Sequence, residues 1–122
     1  MPSKTAKRTY SGQEYCPVAR TLDIVGDRWT ILIIRNIFDR QRRFSQLLES
    51  LPGISSNLLA DRLKRLEDAG ILTRRFYTSH PPRAEYWFTD KGKAFGKVLS
   101  AMRDWGEEWE PEDKPAKGPS RR

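Results

Sequence analysis

The chain has 122 residues, 37% of them hydrophobic and 32% charged, which suits one small core and leaves no room for a separate catalytic lobe. Its 23 Lys and Arg outnumber 16 Asp and Glu, a formal charge of +7 that favours a polyanionic partner. One cysteine, Cys16, and one histidine, His80, exclude a disulfide-stapled scaffold and Cys/His zinc sites, so no metal is expected.

No apolar run approaches the roughly twenty residues that cross a bilayer, and the basic N-terminus lacks the apolar stretch of a secretory signal. A soluble, cytoplasmic protein without a membrane partner is the expectation. Residues 1–15 carry Lys4, Lys7 and Arg8 without periodicity, which predicts a flexible basic segment. Cys16-Pro17 opens a first helix, since Pro suits the first helical position and Val18, Leu22 and Val25 recur at helical spacing before Gly26. Asp27 is expected to cap a second helix, which Trp29, Leu32, Ile33, Ile34 and Ile37 surround almost fully and so mark as buried. After the basic turn at 39–43, Ser45 is expected to cap a short helix carrying Leu47, Leu48 and Leu51, which Pro52-Gly53 breaks.

Ser55 or Ser56 caps the next helix, with Leu59, Leu63 and Leu66 on one side and Gly70 placed as a left-handed terminator before Ile71. Leu72, Arg74 and Phe76 then alternate with Thr73, Arg75 and Tyr77, the period of a strand. Ser79-His80-Pro81-Pro82 reads as a turn, and Ala84, Tyr86 and Phe88 alternate with Glu85 and Trp87 on the way back. Thr89-Asp90 caps one last helix, and residues 110–122, with Pro111, Pro115 and Pro119 among charges, read as a disordered tail. The prediction is a mainly α domain over 16–109 with a small β-hairpin wing, a winged helix-turn-helix flanked by terminal helices.

The positive excess lies in this domain: from Arg40 to Arg83 there are nine basic and four acidic residues. On a helical wheel, Asn57, Asp61, Lys64 and Arg65 lie opposite the leucine side of the 55–70 helix. Ser55, Ser56 and Asn57 form its first turn, where a helix in a major groove meets base edges. Lys64 and Arg65 can reach guanine or phosphate, Asp61 is read as orienting Arg65, and Arg62 as a flank residue, structural or phosphate-contacting. Arg42, Arg43 and Ser45 precede or open the short helix, and Arg75, Tyr77 and Arg83 sit on the hairpin, all suited to the DNA backbone. A solvated polar face is the bland alternative, and the clustering of arginines on neighbouring segments weighs against it. An enzyme lacks support, since His80 sits in a proline-bounded turn apart from any nucleophile and no glycine-rich phosphate loop or cofactor motif occurs. A winged-helix module that binds only protein would carry a neutral or acidic face here.

Phe95, Val98, Met102, Trp105 and Trp109 follow a 3-4-3-4 spacing with Leu99 beside them, a stripe that is either core or an interface between copies. Cys16, at a helix start, is either a reactive thiol or a small packing residue, and packing is favoured. Nothing in the sequence names a small-molecule effector.

Several short motifs, in order, carry a resemblance: Cys16-Pro17-Val18, Gly26-Asp27-Arg28-Trp29, Arg43-Phe44-Ser45 and Leu51-Pro52-Gly53-Ile54-Ser55, then Leu63-Lys64-Arg65-Leu66-Glu67, Gly70-Ile71-Leu72, Glu85-Tyr86 and Thr89-Asp90-Lys91-Gly92. Together they resemble the HxlR-type transcriptional regulators from about Cys16 to Trp109. The resemblance implies a homodimer on double-stranded operator DNA, with the 55–70 helix in the groove and the hairpin as a contacting wing. It also implies dimerisation through the terminal helices, and in some relatives a sensing role for a cysteine at the position of Cys16.

Overall fold

The computed structural model describes residues 12–112. Most of the expected N-terminal segment and C-terminal tail lies outside them. The elements run α1 (Pro17–Val25), α2 (Thr30–Phe38), α3 (Phe44–Ser50), α4 (Ser56–Asp68), β1 (Leu72–Ser79), β2 (Pro82–Phe88), α5 (Asp90–Ala94) and α6 (Gly96–Trp109). Ile33, Ile34 and Ile37 of α2 meet Leu47 of α3 and Leu59, Leu63 and Leu66 of α4, all fully buried. Helix α2 is thus the central element that its apolar surround predicts.

The hairpin is antiparallel, with Leu72 opposite Phe88 and Phe76 opposite Ala84, and a bulge at Tyr77 before Thr78 pairs with Arg83. A pairing that the sequence does not suggest adds a third edge: Tyr86 N–H donates to the Arg42 carbonyl at 2.8 Å, and Arg43 bridges to Glu85. The chain entering α3 is therefore stitched to the wing. Helix α4 ends as predicted. Gly70 has φ of 78°, Gly70 N–H donates to Glu67 O, and Ile71 N–H donates to Leu66 O, the paired bonds of a Schellman terminus. Lys91 Nζ supplies a further donor to the Ala69 carbonyl at 2.7 Å.

Three local expectations need correction. Helix α2 starts at Thr30 and not directly after Asp27, because the Asp27 carboxylate accepts from Trp29 N–H at 3.0 Å and from the Thr30 hydroxyl, holding 27–29 as a turn. Ser45 is not a cap. It lies in the first turn of α3, and Gln46 Oε1 instead accepts from the N–H groups of Arg42 and Arg43. The last helix is two, α5 and α6, parted at Phe95, whose N–H donates to the Gly92 carbonyl in a tight turn. Gly92 and Gly96 flank that turn, one against the Ile71 carbonyl and the other near the Phe38 ring, so packing redirects the chain where periodicity continues.

Asp27 also ties distant elements together, since Arg62 Nε of α4 donates to it at 2.9 Å. Burial pushes its carboxyl up, but the Thr30 hydroxyl, the Trp29 N–H and Arg62 together pull it below the ordinary value. A carboxyl held below its unfolded value stabilises the fold above the usual carboxylate range near pH 4, and that contribution fades as pH falls through the folded value. Asp27→Asn is expected to cost about 1 kcal/mol at neutral pH, a modest figure because the carboxylate is partly in water. The difference from wild type should shrink toward about pH 3. Urea unfolding at both pH values checks this, and a pH-independent difference would refute it.

Candidate nucleic-acid interface

Helix α4 is built to present one face. Ser55 Oγ accepts from Leu58 N–H at 3.1 Å, satisfying a free donor of the first turn. With Leu59, Leu63 and Leu66 turned inward, Ser56, Asn57, Asp61, Lys64 and Arg65 are exposed. Asp61 meets Arg65 Nε at 3.1 Å, the orienting pair read from the spacing, and Lys64 meets Asp68 at 3.1 Å. Both are exposed pairs one turn apart, worth only a few tenths of a kcal/mol, about 0.3–0.5 each, and readily exchanged for another anion.

Arg62 departs from its companions. Its side chain is only 18% exposed, and its guanidinium is held by Asp27 on one side and Asp61 on the other. It braces α4 against the α1–α2 turn and is less exposed than Lys64 or Arg65 on the same helix.

On the segment before α3, Arg43 Nε donates to Glu85 Oε2 at 3.1 Å, and its Cζ lies 3.9 Å from the centre of the Tyr77 ring. Arg42 and Arg75 both stack on Trp87, at 4.1 and 4.2 Å from its ring centre. Arg43, Ser45, Tyr77 and Arg83 come together, with Arg74 and Phe76, around a groove of about 360 Å³ between the wing and the start of α3. Arg74 is held at the back by Glu67 of α4, at 2.9 Å. Glu67 and Arg74 also act on Tyr86: burial raises its phenol, Glu67 raises it further, and Arg74 opposes both. The exposed guanidinium, ammonium, hydroxyl and amide groups of α3, α4 and the wing are donors of the kinds that bind phosphate oxygens and base edges. Among the described residues no cluster of His, Cys, Asp and Glu is placed to hold a metal, and no helix is long and apolar enough to cross a membrane.

Local sequence pattern alone does not mark Glu85 and Trp87 as organisers of this surface. The period of a strand puts both on the face that carries Arg75. What the sequence does not show is the chain before α3 lying against that strand.

Residues 24–114 match the model of the HxlR-like helix-turn-helix family. The chain belongs to that family. It is 38% identical over 109 residues to an HTH-type transcriptional regulator of Synechocystis, covering 89% of this chain and 81% of that protein. Among solved structures, it is similar to the transcription factor candidate PA1607, with TM-score 0.72 and 40% identity over 82% of this chain and 70% of that one. The redox regulator HypR in its reduced form superposes with TM-score 0.71 and 33% identity over 75% of this chain and 91% of that one. The fold is that of winged-helix transcription regulators.

In this HxlR-like chain the terminal helices leave their apolar stripe uncovered. Helix α6 has no buried residue. Phe95 and Leu99 are half-buried, while Val98, Met102, Trp105 and Trp109 are exposed, the two Trp by 61% and 62%. Helix α1 adds exposed Val18 and Leu22, and an apolar hollow of about 210 Å³ lies between Ile24 and Val25 of α1 and Phe95 and Val98. Cys16 is the N-cap of α1, half-buried, and Arg20, one turn on, is engaged by the Glu14 carbonyl.

Proposed function

We propose that this chain, through its 16–109 domain, is a cytoplasmic, DNA-binding transcriptional repressor that holds a pseudo-palindromic operator as a homodimer. The observation that carries the reading is helix α4: it buries its leucines and leaves Ser56, Asn57, Lys64 and Arg65 exposed, with the arginines of the α3 approach and the wing on neighbouring segments. In a major groove, Asn57 and the first turn meet base edges, and Lys64 or Arg65 meets guanine or phosphate. Arg42, Arg43, Ser45, Arg75, Tyr77 and Arg83 contact the backbone on either side. Two copies joined through α1 and α6 place their α4 helices on half-sites roughly 34–36 Å apart, one turn of the duplex.

Selection of bound sequences from random duplex DNA tests both symmetry and specificity, and a palindromic enriched motif is the expected result. Lys64→Ala or Arg65→Ala should then cost about 1–3 kcal/mol and relax preference at one position, if that residue reads a base. Arg43→Ala should weaken operator and scrambled duplexes alike. Operator affinity should fall with salt at a log–log slope near −0.9 per phosphate neutralised. Equal affinity for every sequence would reduce the protein to a nonspecific binder.

A redox-responsive version of the same regulator, acting through Cys16, draws support from the description of HypR. Repeating the binding assay after diamide separates the two readings. Reversible loss of affinity in wild type but not in Cys16→Ser favours sensing, and identical behaviour assigns Cys16 to packing.

A further inference from the structure

Glu85 is an acid in the middle of a cation cluster, an unfavourable place for a carboxylate on any surface that meets a polyanion. Its two oxygens are both in use. Oε2 accepts from Arg43 Nε at 3.1 Å and Oε1 accepts from Trp87 Nε1 at 3.3 Å. The indole held in this way is the ring on which Arg42 and Arg75 stack, and the Arg43 guanidinium lies on Tyr77. The backbone locks the same arrangement, through the Arg43–Glu85 bridge and the Tyr86-to-Arg42 bond. One carboxylate thus fixes the plane of one arginine and the platform of two more. The contact to Arg43 uses Nε, which leaves the two terminal nitrogens out of the ion pair, and that side chain is 46% exposed.

We infer that Glu85 is a positioning residue of the DNA interface: it holds Arg42, Arg43 and Arg75 as a preassembled clamp for phosphates. The inference rests on the proposed reading of the protein as an operator binder. The physical gain is pre-organisation. Long arginine side chains lose rotamer freedom when they bind, and mutually repelling guanidinium groups resist being ordered together. A carboxylate among them reduces both costs before DNA arrives, at the expense of one unit of attraction.

Charge and position make opposite predictions for its removal. Nonspecific binding depends on the number of charges, whereas a specific complex also needs phosphate contacts in fixed register. The test compares full-length wild type, Glu85→Gln and Glu85→Ala on the enriched operator and on a scrambled duplex of equal length, across a salt series. Glu85→Ala is expected to bind the scrambled duplex at least as tightly as wild type but the operator roughly three- to tenfold more weakly. Glu85→Gln keeps one acceptor oxygen in the same shape and should fall between. It also serves if Glu85→Ala loses its cooperative thermal transition. Arg43→Ala differs in kind, because losing a cation lowers affinity for both duplexes. If both Glu85 variants keep or raise the operator-to-scrambled ratio, the acid is not a positioning residue, although the operator-binding reading survives. If wild type itself selects no sequence, both fall together.

Discussion

Gly92→Ala is expected to destabilise this domain by at least about 1–3 kcal/mol, the range for forcing atoms into a packed interior. A Cβ on Gly92 would sit 2.2 Å from the Ile71 carbonyl oxygen and 2.8 Å from Phe88 Cδ1. The first neighbour is backbone, and it is anchored: Ile71 O accepts the Thr89 N–H at 3.1 Å, and Thr89 in turn takes the Gly92 N–H on its hydroxyl at 3.1 Å. To make room, α5 must move off the start of β1, breaking the joint between the end of α4, the wing and the C-terminal helices. Thermal unfolding reads this as a drop of roughly 4–8 °C per kcal/mol for a domain of this size. An unchanged midpoint would mean that the joint is far softer than its hydrogen bonds imply.

The second large effect concerns α6. If a second copy covers its stripe, Trp105→Ala or Trp109→Ala should weaken the dimer by about 2 kcal/mol or more each, roughly thirtyfold in Kd. The basis is the exposure of Trp105 and Trp109 on a helix with no fully buried residue, next to exposed Val18, Leu22 and Met102. Apolar area of this kind on one face commonly marks an association surface, and large aromatic rings carry much of such an interface. Sedimentation at micromolar concentration should find a wild-type dimer and a variant shifted to monomer. The variant should also lose affinity for a full operator while keeping that for an isolated half-site. A wild-type monomer at that concentration would remove the dimer from the proposal.

Much of the fold was legible because periodicity reports burial directly. The leucines of α4 at spacings of four and three, the alternation of β1 and β2, and Gly70 ahead of Ile71 each encode one local geometry, and each is found. The exposed face of α4 follows by subtraction, since a helix that buries Leu59, Leu63 and Leu66 must turn Asn57 and Lys64 away. Arg62 shows the limit of that subtraction. Its wheel position allows either a phosphate or a carboxylate partner, and only the approach of Asp27, thirty-five residues earlier, supplies the carboxylate it holds in the fold.

The sequence by itself therefore determined the order of the elements, the buried side of each helix and the concentration of arginines from 40 to 83, because those depend on neighbours a few residues apart. Tertiary structure alone decided which cations stand together. The strand-like contact of Arg42 and Arg43 with β2, the placing of Glu85 and Trp87 among three guanidinium groups, and the break at Phe95 all join segments distant in the chain. The physical reason is that a hydrogen bond or a steric limit between remote segments leaves no period in either of them.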